Sequence, residues 1–320
     1  MFNILVTVPV NDKQRELIES SCPNGSYTYI LQKELKACDV SDKEVILGNI
    51  PKELVPECRR LKLLHLNMAG ADGYPELMPE GAVLANSSGA YGLAISEHML
   101  GMLLAIKKRL YSYYENQQNS LWRDEGPVTS IEDSVVLSVG MGDIGGEFTR
   151  KCKLLGAYTM GIRRIKREKP DYLDEIHTLD ELDMLLKRAD VVALSLPSGS
   201  ASNGLMDERR LRLMKKGAVL INVGRGKAVV SDDLDKVASE GNIFAALDVT
   251  DPEPLPADHP LWQNKNVYIT PHISGFFHLP ETLNRIIKIA AENLRRLSNG
   301  ETILNVVDGK TGYRVGENRY

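Results

Sequence analysis

Three segments in the second half of the chain carry side chains able to do chemistry: INVGRGKAVV (221–230), ALDVTDPEPLP (246–256) and ITPHISG (269–275). Each lies at the C-terminal end of an apolar run that reads as a strand, which is where open α/β sheets bind their ligands. Such a sheet would bring Arg225, Glu253 and His272 to one crevice. An imidazole exchanges a proton near neutral pH. A carboxylate beside it favours the charged ring. A planar guanidinium matches a carboxylate bidentately, which lysine cannot do. Gly224 and Gly226 flank Arg225 as if to clear room for a ligand.

A fourth segment, G-M-G-D-I-G at 140–145, follows an apolar strand and opens the helical pattern GEFTRKCKLLG. This strand–turn–helix context is what a dinucleotide fingerprint requires. Gly140 is read as the tight turn, Gly142 as the close approach to a pyrophosphate and Gly145 as helix–strand packing. The helix N-terminus supplies N–H groups and its dipole to the phosphates. An NAD enzyme normally places an acidic residue about 20 residues further on. Here the next strand, AYTMGI, ends in Arg163 and Arg164, followed by Lys166 and Arg167. Arginine suits a 2′-phosphate through charge-assisted bonds, and a solvated basic loop is the alternative. The sequence therefore points to NADP(H) as the preferred cofactor, with NAD(H) possible. Cofactor contacts are expected from Gly140, Gly142, Asp143, Ile144, Gly145, Arg163 and Arg164, and from the later strand ends at Leu196, Pro197, Val223, Gly224, Arg225, His272 and Gly275.

These residues need a scaffold, and the apolar patterning supplies one. NILVTVP (3–9), EVILG (44–48), LKLLHLN (61–67) and AVLAN (82–86) read as short buried strands alternating with amphipathic stretches, the rhythm of parallel βαβ units. One long helix is expected over 94–115. Its run AISEHMLGMLLAI is apolar on most faces, as in a helix buried between domains or subunits. Residues 116–133 read as a connector. A second series, SVVLSVG, AYTMGI, DVVALSLP, AVLINVG, FAALDV and VYIT, gives six strands of a dinucleotide-binding sheet. The fold class expected is α/β with two domains. One is a Rossmann-type doubly wound parallel sheet over 99–285. The other is a smaller flavodoxin-like substrate domain over 1–98, completed by 286–320.

Composition excludes several function classes. The chain has 320 residues, enough for two domains. A net charge of −4 and a pI near 5.9 offer no basic surface for nucleic acid. No apolar run approaches the roughly 20 residues that cross a bilayer, and the opening MFNILVTVPV has no basic leader, so neither membrane nor signal peptide is expected. Cys22, Cys38, Cys58 and Cys152 are scattered without C-x-x-C spacing, which implies reduced thiols in a cytoplasmic protein and no metal site. His65, His98, His177, His259 and His278 read as packing or surface residues.

Taken together, LNMAGADGY (66–74), ISEHMLGMLLA (95–105), GMGDIG, LSLP (194–197), NVGRG, LDVTDPEPL and TPHISG resemble the D-isomer-specific 2-hydroxyacid dehydrogenases, along nearly the whole chain. The resemblance implies reduction of a small 2-keto acid such as glyoxylate or hydroxypyruvate by hydride transfer. It implies that Arg225 binds the substrate carboxylate and keto oxygen, that His272 is the proton donor and that Glu253 is its partner. Asp248 would bond the nicotinamide carboxamide, and backbone N–H groups of Ala69 and Gly70 would hold the substrate carboxylate. A homodimer is expected. A phosphorylated substrate would call for a basic cluster near the substrate loop, and AGADGYPELMPEG is acidic. A dinucleotide-sensing regulatory protein on the same fold is the alternative function. Thr149, where a small alanine is common, and Phe276 and Phe277, where smaller residues are frequent, depart from the pattern.

Overall fold

The computed structural model describes residues 1–165 and 168–308, so Lys166, Arg167 and the end of the expected completing tail lie outside the described residues. The chain divides into two compact units, one comprising Met1–Tyr91 with Phe277–Tyr320 and the other Gly92–Phe276. The divisions therefore fall earlier than the breaks after residues 98 and 285 read from the sequence.

The first stretch contributes β1 (Asn3–Val6), α1 (Asp12–Ser21), β2 (Ser26–Tyr29), the single-turn α2 (Ala37–Val40), β3 (Val45–Leu47), β4 (Leu63–His65) and β5 (Val83–Ala85). The strands form one parallel sheet in the order β2-β1-β3-β4-β5, the flavodoxin-like arrangement. Strand β2 is not among the strands expected from the sequence because SYTY is half exposed and carries no apolar run.

The second unit opens with α3 (Gly92–Lys107) and α4 (Leu110–Gln118). The apolar pattern predicts one continuous helix here. Instead the backbone turns left-handed at Arg109, with φ 54°. Tertiary bonds hold the break: Thr129 N–H donates to the Lys107 carbonyl, Lys108 Nζ to the Thr129 carbonyl and Arg109 Nε to the Pro127 carbonyl. The connector thus folds back along the helix end, and the Thr129 N–H takes the Lys107 carbonyl that a continuing helix would have used. There follow β6 (Val135–Val139), α5 (Asp143–Leu154), β7 (Tyr158–Ile162), β8 (Glu175–His177), α6 (Leu182–Leu186), β9 (Val191–Leu194), α7 (Glu208–Leu211), β10 (Ala218–Asn222), α8 (Ser231–Ser239), β11 (Ile243–Leu247) and β12 (Val267–Ile269). All seven strands are parallel, in the order β12-β11-β10-β9-β6-β7-β8. This is the doubly wound Rossmann order extended by one strand. The seventh, β8, is not among the six expected. It is a three-residue edge strand, EIH, with no apolar pattern to betray it.

The chain then returns to the first unit with α9 (Pro280–Ser298). Its buried Ile286, Ile287, Ala290, Ala291 and Leu294 follow helical spacing and form the inward stripe. Gln14 Nε2 donates to Asn284 Oδ1 at 2.8 Å and ties α9 to α1. Among the described residues no helix is long and apolar enough to cross a membrane. All four cysteines are free thiols, three of them buried.

Candidate active site

The order β12-β11-β10 places the loops after these strands side by side at the C-terminal edge of the second sheet. Those loops carry His272, Glu253 and Arg225 respectively. The loop after β12 is held by a buried carboxylate. Asp248 is 1% exposed. Its Oδ1 accepts from Thr270 Oγ1 at 2.6 Å and from the Ile273 N–H at 3.0 Å. Its Oδ2 accepts from the Ser274 N–H at 3.1 Å and from the Ser274 hydroxyl. The His272 N–H donates to the Asp248 carbonyl at 2.8 Å. Between these anchors His272 adopts φ 52°, a region uncommon for a residue with a side chain and costing about 1–2 kcal/mol. The anchors around it make that conformation the available one.

The imidazole so placed meets Glu253, with Nδ1 and Oε1 2.5 Å apart. The Glu253 loop is fixed in turn: Ser231 Oγ donates to the Asp251 carbonyl and Thr250 Oγ1 to the Pro252 carbonyl, each at 2.9 Å. The side chain of His272 is 50% exposed, so with Nδ1 engaged by Glu253, Nε2 is the nitrogen left to exchange a proton with a substrate.

Arg225 sits on a turn braced by Asn222, a fully buried amide. Its Nδ2 donates to the Arg225 carbonyl at 2.9 Å and its Oδ1 accepts from the Gly224 N–H at 3.1 Å. The flanking glycines make room for the chain itself rather than only for a ligand. A Cβ at Gly224 would lie 2.6 Å from the Leu196 carbonyl oxygen, and one at Gly226 would lie 1.8 Å from that of Thr250. Backbone is thus packed on backbone where three strand-end loops meet. Leu196, Pro197, Val223 and Gly275 belong to the same set of loops.

The phosphate loop divides its glycines by task. Gly140 has φ +102° and packs against the Ser195 carbonyl, and a Cβ on Gly145 would fall 1.9 Å from the Gly140 oxygen. Gly142 alone faces open space, with nothing within 4 Å of where a Cβ would stand. It precedes α5, whose first-turn N–H groups receive no side-chain cap from it. An open backbone surface leading to helix N–H donors fits a dinucleotide pyrophosphate. Asp143, expected to contact the cofactor, has its carboxylate on α3, where Oδ2 accepts from the Gly92 N–H at 2.7 Å. Ile144 is half-buried in the same turn. Thr149 has a reason of its own, since its hydroxyl donates to the Gly145 carbonyl at 2.6 Å. At the end of β7, Arg163 is half-buried and its Nε is buried and, among the described residues, without a hydrogen-bond partner, while Arg164 is exposed. An orphaned buried donor calls for an acceptor, and a ribose phosphate would provide one.

The remaining named residues belong to other segments. Ala69 and Gly70 lie in the first unit, on the loop after β4, where the Ala69 carbonyl accepts from Asn86 Nδ2 at 2.6 Å. Phe277 packs into the first unit's core, and Phe276 is exposed. Sequence reasoning missed Thr270, Ser274 and Asn222, which act through hydrogen bonds to neighbours that no spacing rule marks.

Residues 100–274 match the family model for the D-isomer-specific 2-hydroxyacid dehydrogenase NAD-binding domain. A glyoxylate reductase of Thermofilum pendens is 30% identical over 82% of this chain and 80% of its own length. Among solved structures, a D-isomer-specific 2-hydroxyacid dehydrogenase family protein of Aeromonas salmonicida superposes with a TM-score of 0.86 at 27% identity, covering 97% of this chain and 99% of the other. A D-isomer-specific 2-hydroxyacid dehydrogenase of Xanthobacter autotrophicus, solved with NADPH and MES, gives 0.81 at 25% identity, covering 98% and 99%.

Proposed function

This chain belongs to the D-isomer-specific 2-hydroxyacid dehydrogenases, and on that premise we propose that it reduces small 2-keto acids of the glyoxylate or hydroxypyruvate class, preferring NADP(H). The observation carrying the chemistry is the His272–Glu253 pair at 2.5 Å on a clamped turn beside the Arg225 loop. When bound, the dinucleotide supplies the hydride that becomes the new C–H bond. The protein supplies the rest. Arg225 grips the carboxylate of the keto acid and draws charge from its carbonyl oxygen. His272 delivers the proton from Nε2 to that oxygen as negative charge builds on it. Glu253, bonded at Nδ1, orients the ring so that Nε2 faces the substrate. Hydride plus proton converts the carbonyl to the alcohol, a primary one from glyoxylate and a secondary one from hydroxypyruvate, and the balance closes.

Support for NADP(H) lies in Arg163, with its orphaned Nε, and Arg164 at the strand end where an acidic residue would serve NAD. Two charge-assisted bonds, about 1.5–3 kcal/mol each before solvent screening, allow at least a roughly tenfold preference. The test is absorbance decay of NADPH and NADH with glyoxylate, hydroxypyruvate and pyruvate, for the wild type and His272→Asn. The wild type should favour NADPH, and His272→Asn should lose about 10²–10⁴ in turnover while coenzyme affinity holds. Undiminished turnover in His272→Asn would remove the proton-donor role, and equal or better use of NADH would remove the coenzyme preference.

A further inference from the structure

Helix α3 carries a histidine that the mechanism above does not use. The helix is anchored at its start, where the Gly92 N–H meets the Asp143 carboxylate and Ser96 Oγ accepts from Lys151 Nζ of α5 at 2.8 Å. On its buried face, between Ile95 and Met102, stands His98. The imidazole is largely covered, at 22% exposure. Its Nε2 lies 3.1 Å from Thr270 Oγ1 and 3.8 Å from Asp248 Oδ1.

Hydrogen-bond directions can be worked out from what each group is able to do. An ionised carboxylate only accepts. The Thr270 hydroxyl therefore spends its proton on Asp248 Oδ1 at 2.6 Å, and its oxygen is left to accept. His98 must then carry hydrogen on Nε2 and donate it. The chain of bonds runs from His98 Nε2–H to Thr270 Oγ–H to the Asp248 carboxylate. That carboxylate already binds the Ile273 N–H and both donors of Ser274. The residues so held, 270, 273 and 274, enclose His272, whose φ of 52° depends on them. With these four donors from its own chain on the carboxylate, Asp248 acts as a clamp, whereas the carboxamide contact expected from the resemblance would require one of them to be exchanged.

We propose that His98 is a positioning residue for the proton donor, acting through Thr270 and Asp248 to hold the turn that aims the His272 imidazole. It touches neither substrate nor coenzyme in this role. It supplies the one link in the clamp that comes from a helix rather than from the strand-end loops, 172 residues away along the chain. The inference rests on the reading of His272 as proton donor.

The experiment compares His98→Leu with His98→Gln, whose amide N–H can replace the imidazole donor, and Thr270→Val with Thr270→Ser, alongside His272→Asn. Readouts are kcat, KM for glyoxylate or hydroxypyruvate, NADPH affinity and melting temperature. A misaimed catalytic group can cost orders of magnitude in rate, so His98→Leu and Thr270→Val should each lower kcat about tenfold. KM and NADPH affinity should stay within about twofold, since the binding groups are untouched. Gln and Ser should restore most of the rate. The double variant His98→Leu/Thr270→Val should be little worse than the worse single, because both cut the same link. Should His98→Leu fail to fold, the Thr270→Val and Thr270→Ser pair tests the same link through kcat. Wild-type kcat in His98→Leu, or strictly additive losses, with His272→Asn inactive, would overturn this proposal alone. An active His272→Asn would overturn the catalytic reading beneath it.

Discussion

Arg225 shows how much a residue type and its neighbours can disclose. Its guanidinium was legible in the sequence because it stands between Gly224 and Gly226 at a strand end, and the structure places it on the loop next to that of Glu253. The glycines around it were legible as glycines but not as to their task, since only coordinates reveal a carbonyl 1.8 Å from where a Cβ of Gly226 would stand. The same holds for Asp248: a lone acidic residue after a strand cannot announce that four donors of its own chain will surround it. For Arg225 the expected behaviour follows from shape rather than charge. Arg225→Lys keeps the point charge and loses the planar fork. The loss of one charge-assisted bond, about 1.5–3 kcal/mol, should lower kcat/KM roughly 10- to 100-fold. Steady-state kinetics on 2-keto acids will check it, and unchanged efficiency would show that the carboxylate is anchored elsewhere.

Among the elements, those with apolar runs could be read from the sequence, and those held by tertiary bonds could not. The central strands of both sheets are continuous apolar segments bounded by Gly, Pro or polar residues, and their parallel pairing follows from the helices between them. Strands β2 and β8 lack that signal because none of their residues is fully buried, whereas the opposite edges β5 and β12 keep buried apolar residues. The break between α3 and α4 lies in Lys107–Leu110, residues that favour helix on propensity alone, so only the returning connector could have disclosed it. Asp143 belongs to this scale too, because its carboxylate serves the start of α3 although it sits in the phosphate loop. A carboxylate at a helix start satisfies an orphan N–H and the helix dipole. Asp143→Ala should therefore destabilise the second unit by about 0.5–2 kcal/mol, the usual loss for a helix-start acceptor. NADPH affinity should not fall, because the deleted charge is negative and the incoming pyrophosphate is negative as well. Thermal melts paired with NADPH titration separate the two effects. Weakened NADPH binding with unchanged stability would show that the Asp143 carboxylate serves the cofactor rather than the start of α3.

For the whole molecule, one pH-sensitive part of the stability resides in the first unit, where α9 closes on the sheet. Asn293 of α9, fully buried, donates from Nδ2 to the Leu304 carbonyl and to Nδ1 of His65 on β4, at 2.9 and 3.1 Å. His65 Nε2 bonds Ser87 Oγ at 3.2 Å, and that hydroxyl passes its proton to the Leu66 carbonyl at 2.8 Å. The ring is thereby fixed as the neutral tautomer, with Nδ1 as acceptor. Burial pushes its pKa down from 6.5 to about 3. An added proton would also set two donors face to face at Asn293. In the unfolded chain the same histidine takes up its proton near pH 6.5, so below that pH the unfolded state binds more protons and stability falls with pH, by up to about 1.4 kcal/mol per pH unit. The loss runs from pH 6.5 toward 3. The ion-paired carboxylates act lower: Arg188 holds Glu175, Arg209 and Arg210 hold Asp183, and Arg295 and Arg296 hold Glu292, each near 2. Their stabilisation is present above the ordinary carboxylate range and is lost only as pH falls through it. Between pH 6.5 and about 5, then, His65 is the group that should set the slope of the first unit. Trp122 and Trp262 both lie in the second unit, so tryptophan fluorescence would report the wrong half of the molecule. Amide-exchange free energies for Leu63–His65 at pH 7.5 and 5.5 measure the right one, and the wild type should be weaker at the lower pH by about 1.4 kcal/mol. His65→Gln cannot titrate, so its exchange free energies, although lower overall, should agree at the two pH values. An equal fall in the variant would show that another group drives the acid sensitivity of this unit.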